Sequence, residues 1–307
     1  MPLRLPDGLP AIKLLEDENI FVIDETRGHS QDIRPLHVVI LNLMPLKITT
    51  ETDLIRLLSN TPLQIDVTFM KLKSHTSKNT PIEHMRQFYV SFDELQDRKF
   101  DGLIVTGAPV EDIKFEDVTY WNEITHIFDW ARTHVTSTLY ICWAAQAALY
   151  HFHNIDKVQL PEKLFGIFKQ KINPDYENCP LFRGFDCTFN MPHSRHAGNK
   201  REDIIKCKDT EILAESAETG PSIIIERDGR EIYITGHLEY NPETLDTEYR
   251  RDLGKRSDVK LPKNYYLNDN PDNTPQVTWR AHANLFYHNW INYYIYQRTP
   301  YDITQIN

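Results

Sequence analysis

Cys142 closes the apolar run Ser137-Thr-Leu-Tyr-Ile and opens a helix-like stretch, Trp143-Ala-Ala-Gln-Ala-Ala-Leu149. A strand that stops on a cysteine and turns at once into a helix lifts the thiol clear of the sheet, and a helix start favours a thiolate. Far downstream, the segment Glu231-Ile-Tyr-Ile-Thr235 delivers Gly236-His237-Leu238-Glu239. Residues two apart in extended chain point the same way, so Glu239 can orient the His237 imidazole. A thiol, a base and a base-orienting carboxylate are the parts of a covalent acyl-transfer enzyme. The tetrahedral intermediates of that chemistry need donors aimed at an oxyanion, and the amide of Trp143 at the helix start is one. A lone cysteine is ordinarily one more buried thiol; the elbow and the His-x-Glu pair favour catalysis here.

The elements around these residues alternate. His37-Val-Val-Ile-Leu-Asn-Leu43 reads as a strand buried on both faces, Thr49 to Leu58 as a helix, and Leu63 to Phe69 as a second strand. Phe100 to Thr106 is a further strand closed by Gly107-Ala-Pro-Val-Glu111, and Tyr120 to Val135 is an amphipathic, aromatic-rich helix. Strand alternating with helix predicts an α/β protein with a doubly wound, mostly parallel sheet. Ligands of such sheets gather beyond the carboxyl ends of the strands, where Lys47, Glu111 and Cys142 all fall. The second half is less regular. Ser222 to Glu226 and Glu231 to Thr235 flank an Asp228-Gly229 hairpin signal, Glu243 to Arg256 reads as a charged surface helix, and Val277 to Gln297 as a long closing helix. Residues 1–35, punctuated by Pro2, Pro6, Pro10 and Pro35, read as an N-terminal arm, and 36–307 as the main domain.

The 307 residues are 40% hydrophobic, enough for a substantial core, and carry 44 acidic against 34 basic side chains. No long Lys/Arg run marks a nucleic-acid surface. No apolar stretch approaches the ~20 residues of a membrane span, and the first residues lack the apolar core of a signal peptide. Cys142, Cys179, Cys187 and Cys207 make no CxxC pair, which suits a reducing cytoplasm. The pairs His151/His153 and His193/His196 have no Cys, Asp or Glu at zinc spacing, so no metal is expected.

The elbow cysteine, the His-x-Glu and Gln146, four residues after Cys142, resemble the class I glutamine amidotransferase fold, a flavodoxin-like architecture. Ala144 and Tyr140 depart from that family's elbow, which has glycine at both places. A closer resemblance spans nearly the whole chain. Asn42-Leu-Met-Pro-Leu-Lys47, Arg56-Leu-Leu-Ser-Asn60, Thr106 to Glu111, Pro192-His-Ser-Arg195, Asn268 to Pro275, Asn289 to Tyr293 and Thr299 to Asp302 look like the homoserine O-acyltransferases of methionine biosynthesis. Leu46 stands where members commonly have lysine, and Leu238 where they often have proline.

That resemblance implies acyl transfer from a coenzyme A thioester to the hydroxyl of L-homoserine, with no cofactor beyond that co-substrate, and is compatible with a homodimer. Cys142 would carry the acyl group, with His237 as base and Glu239 as its partner. Arg251 would grip the homoserine carboxylate, although Tyr249-Arg-Arg-Asp252 is a charged helix on which Arg250 competes. Lys163 and Ser194 match other substrate-binding positions of the family, and Lys47 would hold the acyl or a phosphate group or stabilise the oxyanion. Glutamate at the position of Glu111 goes in the family with acetyl donors and glycine with succinyl donors. Two carboxylates in one small pocket repel, so acetyl-coenzyme A is the expected donor and O-acetyl-L-homoserine the product. The alternatives are succinyl transfer, a glutamine amidotransferase-like hydrolase, and a catalytically silent binding protein.

Overall fold

The β-branched runs read as buried strands form the middle of one mixed sheet. This computed structural model describes residues 3–6, 8–17, 22–24, 34–77, 79–255, 259–300 and 302–306; much of the predicted arm lies outside them. In chain order the strands are β1 (Leu3–Leu5), β2 (Val22–Asp24), β3 (Leu36–Leu41), β4 (Ile65–Lys71), β5 (Tyr89–Ser91) and β6 (Phe100–Val105). They continue with β7 (Val135–Ile141), β8 (Lys157–Ile172), β9 (Thr188–Asn199), β10 (Thr210–Ser216), β11 (Gly220–Glu226) and β12 (Glu231–Ile234). Among the described residues the sheet order is β2-β1-β4-β3-β6-β7-β12-β11-β10-β8-β9, with β5 beside β4. From β2 to β12 neighbouring strands run parallel, and from β12 through β11, β10 and β8 to β9 they run antiparallel. The parallel part is the predicted doubly wound sheet. The antiparallel extension is only partly legible in the sequence, because β8 contains Pro161 and its short apolar stretch, Leu164 to Phe168, lies between charged residues.

Alternation along the central strands assigns each side chain to one of two cores. Val38, Ile40, Ile104, Leu139, Ile141, Ile232 and Ile234 pack on one face; Val39, Leu41, Leu103, Val105, Tyr140 and Tyr233 pack on the other. Helices cover both faces: α1 (Pro10–Asp17), α2 (Lys47–Leu58), α3 (Ile82–Phe88), α4 (Trp121–His134), α5 (Trp143–His153), α6 (Arg201–Lys206), α7 (Thr244–Leu253) and α8 (Arg280–Asn289). The second core takes Ile124, Ile127 and Phe128 from α4 and Ala144, Ala147 and Ala148 from α5. The first takes Leu54 and Leu58 from α2 and Phe286 from α8. The expected single closing helix instead changes pitch at Trp290 and runs as a wider π-helical turn to Tyr296. That turn packs Trp290 and Ile295 close over the bare Cα of Gly102 on β6, where a Cβ would lie 2.6 Å from the Ile295 side chain. No helix of the described residues is long and apolar enough to cross a membrane.

Candidate active site

Register in the centre of the sheet brings the sequence-distant residues together. β7 and β12 pair in parallel with Ile141 opposite Ile234, so the residues just beyond both strand ends, Cys142 and Thr235–His237, leave the sheet side by side. The Cys142 N–H donates to the Ile234 carbonyl at 2.7 Å, and the Gln146 N–H donates to the Cys142 carbonyl at 3.2 Å. Between these anchors Cys142 adopts φ 52° and ψ −114° at the start of α5. Backbone of that kind costs ~1–3 kcal/mol, about what one or two of the buried aliphatic side chains beneath it contribute. The strained elbow turns the thiol away from the sheet.

Glycines admit the partners. A Cβ on Gly107 would sit 3.2 Å from the Cys142 Cβ and 3.6 Å from the His237 Cε1, so this residue forms the wall against both. A Cβ on Gly236 would lie 2.8 Å from the Pro192 carbonyl oxygen, and the same oxygen accepts the His237 N–H at 2.8 Å. The His237 ring stacks on Tyr240 with centroids 4.0 Å apart, and its Nδ1 lies 2.6 Å from Glu239 Oε1. The predicted base and carboxylate therefore meet, with side chains only 3% and 5% exposed. Burial by itself would lower the His237 pKa. The Glu239 carboxylate and Cys142, each also hydrogen-bonded to the ring, outweigh it and hold the imidazole well above its ordinary value. Behind Glu239, burial pushes the Asp53 carboxyl up to about 7; Asn241 and Arg56 pull it down, and the charge of Glu239 adds to the rise.

Cys142 and His237 open on a cavity of about 300 Å³. Lys163, Ser194 and Arg251, chosen by resemblance, all line it, and so does Glu111. Arg250 does not. Its guanidinium is turned away onto Asp246 and the Pro271 carbonyl. Two acidic residues of α7, Glu248 and Asp252, also line the cavity, although by residue type alone the sequence places them on a charged helix with nothing to single them out. Glu248 accepts from Ser194 Oγ at 2.5 Å and Tyr240 Oη at 3.2 Å, and lies 3.5 Å from Lys163 Nζ. Asp252 pairs with Lys163 at 3.6 Å and with Arg251 at 2.8 Å. The signal for them was helical spacing, since residues 248, 251 and 252 share one helix face.

One expected residue sits off the cavity, and another has a second set of contacts. Lys47 is not on the cavity wall. Its ammonium donates to the Asn42 carbonyl beside the Tyr89 ring, and burial lowers its pKa to about 8 while Glu51 opposes that. Glu111 reaches the cavity, but its carboxylate also accepts the backbone N–H of His196 at 2.5 Å and of Ala197 at 3.3 Å. Trp143 is the first residue of α5, where the opening N–H groups of a helix have no intrahelical acceptor. Sequence reasoning also gave no role to Arg195. This wholly buried guanidinium donates to the Ala197 and Thr219 carbonyls, and the charges of Cys142 and Glu111 partly offset the burial that lowers its pKa.

A family described as homoserine O-succinyltransferase matches residues 2–301 of the chain. The chain belongs to that family. It is an acyltransferase, and full-length relatives share most of its residues. A protein of Phocaeicola vulgatus is 65% identical over 306 residues, one of Bacteroides thetaiotaomicron 62% and one of Acetivibrio thermocellus 53%, each covering 100% of both chains. All three are named homoserine O-acetyltransferase, so the family description and the relatives' names differ over the acyl group. Among solved structures, a glutamine amidotransferase of Thermotoga maritima covers 85% of this chain and 98% of its own at 11% identity, with a TM-score of 0.54. One from Methylobacillus flagellatus covers 85% and 95% at 11% identity, with a TM-score of 0.53. These likenesses show the fold, the class I amidotransferase one expected from the elbow.

Proposed function

We propose that the chain is a homoserine O-acetyltransferase working through an acyl-enzyme on Cys142. The observation that carries this reading is that Cys142 and His237, with Glu239 hydrogen-bonded behind the imidazole, meet at a cavity whose wall also carries a two-signed charge cluster. The Cys142 thiolate adds to the thioester carbonyl of acetyl-coenzyme A. The resulting oxyanion faces the N–H groups at the start of α5. Collapse breaks the carbon–sulfur bond to coenzyme A, whose thiolate takes a proton from His237. In the second half, neutral His237 removes the homoserine hydroxyl proton as that oxygen attacks the acyl carbon, and the Cys142 thiolate leaves. Ping-pong kinetics follow from this sequence.

That charge cluster suits a zwitterion. The homoserine carboxylate exchanges into the place Asp252 holds against Arg251 and Lys163, and its ammonium takes up Glu248. Both bound charges then keep an opposite partner in a partly desolvated pocket, where an unpaired one is costly. Acetyl is favoured over succinyl because Glu111 already places a carboxylate at the cavity wall. The test supplies purified protein with homoserine and either acetyl- or succinyl-coenzyme A, and separately with glutamine. Homoserine-dependent thiol release with the acetyl donor supports the proposal. Preference for succinyl, ammonia release from glutamine, or no turnover of either contradicts it.

A further inference from the structure

Helix α5 has a second chemically unusual end. Cys142 caps its start, and His153, its last residue, lies about 16 Å away at 1.5 Å per residue. Asn154 then ends the helix in the left-handed conformation, φ 55°. The His153 side chain is 8% exposed, and its Nε2 lies 2.7 Å from Oε2 of the buried Glu226. Glu226 also accepts from Arg132 and Tyr233, so its charge is compensated from three sides. A carboxylate on Nε2 fixes the tautomer with the proton there, which leaves the Nδ1 lone pair facing the other way.

Cys207 lies in that direction, its Sγ 3.3 Å from His153 Nδ1. It follows α6 directly, and Asp209 stands two residues further along the same turn. The turn is held by the Cys207 N–H on the Ile204 carbonyl at 3.1 Å and by Thr210 Oγ1 on the same oxygen at 2.9 Å. One donor atom each of His153, Cys207 and Asp209 lies within 4.8 Å of the other two. The spacing argument that paired His153 with His151 missed this, because the partners are 54 residues apart in sequence.

We propose that His153 Nδ1, Cys207 Sγ and Asp209 bind one zinc-class divalent cation, with Glu226 orienting the histidine from outside the coordination sphere. Nitrogen, thiolate and carboxylate donors at ~2.0–2.3 Å from a tetrahedral ion stand roughly 3.5 Å apart, so closure needs only an inward movement of the exposed Asp209. The carboxylate–histidine pair is the outer-sphere arrangement such ligands ordinarily have. Binding releases the Cys207 thiol proton to solvent, and the two anionic ligands match the ion's charge. The ion sits at the C-terminal end of α5, where the helix dipole favours a cation. It ties the helix that carries the nucleophile to the turn between α6 and β10, and takes no part in acyl transfer.

The test strips the full-length protein with a chelator and titrates it with Co²⁺, in wild type and in Cys142→Ser to remove the competing thiol. The expected result is one equivalent bound with an intense thiolate-to-cobalt charge-transfer band. That band is absent in Cys207→Ser, and affinity falls at least about tenfold in Asp209→Asn. Zn²⁺ should slow alkylation of Cys207 by iodoacetamide, mapped by mass spectrometry, by at least about tenfold. Cys207→Ser should keep the wild-type circular dichroism spectrum and rate of thiol release, since it lies outside the active site. A band that persists in Cys207→Ser, or no band at all, overturns the proposal. Alkylation of Cys207 that is fast and indifferent to Zn²⁺ also overturns it and assigns the Cys207–His153–Glu226 row as a reactive thiol instead.

Discussion

Replacing Glu239 by Gln keeps the shape of the site and removes one charge. Glu239 Oε1 stands 2.6 Å from His237 Nδ1, with both side chains at most 5% exposed, which places the two charge centres about 4 Å apart. At an effective dielectric near 20, the lost attraction for imidazolium is about 4 kcal/mol, of which the amide oxygen of Gln recovers part as a neutral hydrogen bond. A residual loss of ~2–4 kcal/mol predicts acylation slower by roughly 30- to 1,000-fold at neutral pH. The pH profile carries a second signature. His237 is held well above its ordinary value, so its alkaline limb in wild type lies well above 6.5 and should move toward neutrality in the variant. Stability follows the same sign. A raised histidine contributes fully below its unfolded value of about 6.5, and that contribution is lost as pH rises through the folded value. The Tm gap between wild type and Glu239→Gln should therefore narrow as pH rises above about 6.5. Stopped-flow release of coenzyme A across pH, with parallel melting curves, measures both. Acylation within about threefold of wild type together with an unmoved alkaline limb refutes the assigned role of Glu239.

Arg251→Ala and Glu248→Gln should each raise the KM for homoserine by ~10- to 100-fold, the worth of a charged hydrogen bond, and spare formation of the acyl-enzyme. Loss of the first half-reaction in steady-state and burst kinetics would disprove either assignment. Glu111→Gly should shift donor preference toward succinyl-coenzyme A. It should also destabilise the fold by ~1.5–3 kcal/mol, because the His196 and Ala197 amides lose their acceptor; urea denaturation reads this, and an unchanged preference removes Glu111 as the discriminator. Asp53→Asn should gain stability relative to wild type as pH rises from 3.8 through about 7, the window in which the buried carboxyl would ionise in the unfolded chain but resists doing so when folded. A Tm difference independent of pH would show that Asp53 ionises freely.

The parts legible in the sequence are those set by local pattern. The apolar run of β3, the elbow at Cys142 and the two-residue step from His237 to Glu239 each follow from neighbours in the chain. What joins them, the parallel register of Ile141 with Ile234, follows from a sheet assembled over the whole chain. The wall of the cavity was harder to read. Glu248 and Asp252 sit on a helix with charges on several faces, and which face is covered depends on Lys163 and Ser194 of the long hairpin β8–β9. That hairpin is half-exposed and interrupted by Pro161, so no clean alternation announced it. Lys47 is a different case. Its position past β3 points toward the active site, but at the start of α2 its ammonium turns back onto the Asn42 carbonyl.

The most direct measurement is the mass of the protein after brief exposure to acetyl-coenzyme A without homoserine, followed by peptide mapping and then addition of homoserine. The account predicts one acetyl group, on Cys142, that is stable until homoserine is added and then appears as O-acetyl-L-homoserine, with no adduct in Cys142→Ala. An unmodified Cys142 in protein that still turns over both substrates together, or an adduct that forms from the succinyl donor in preference, would contradict it.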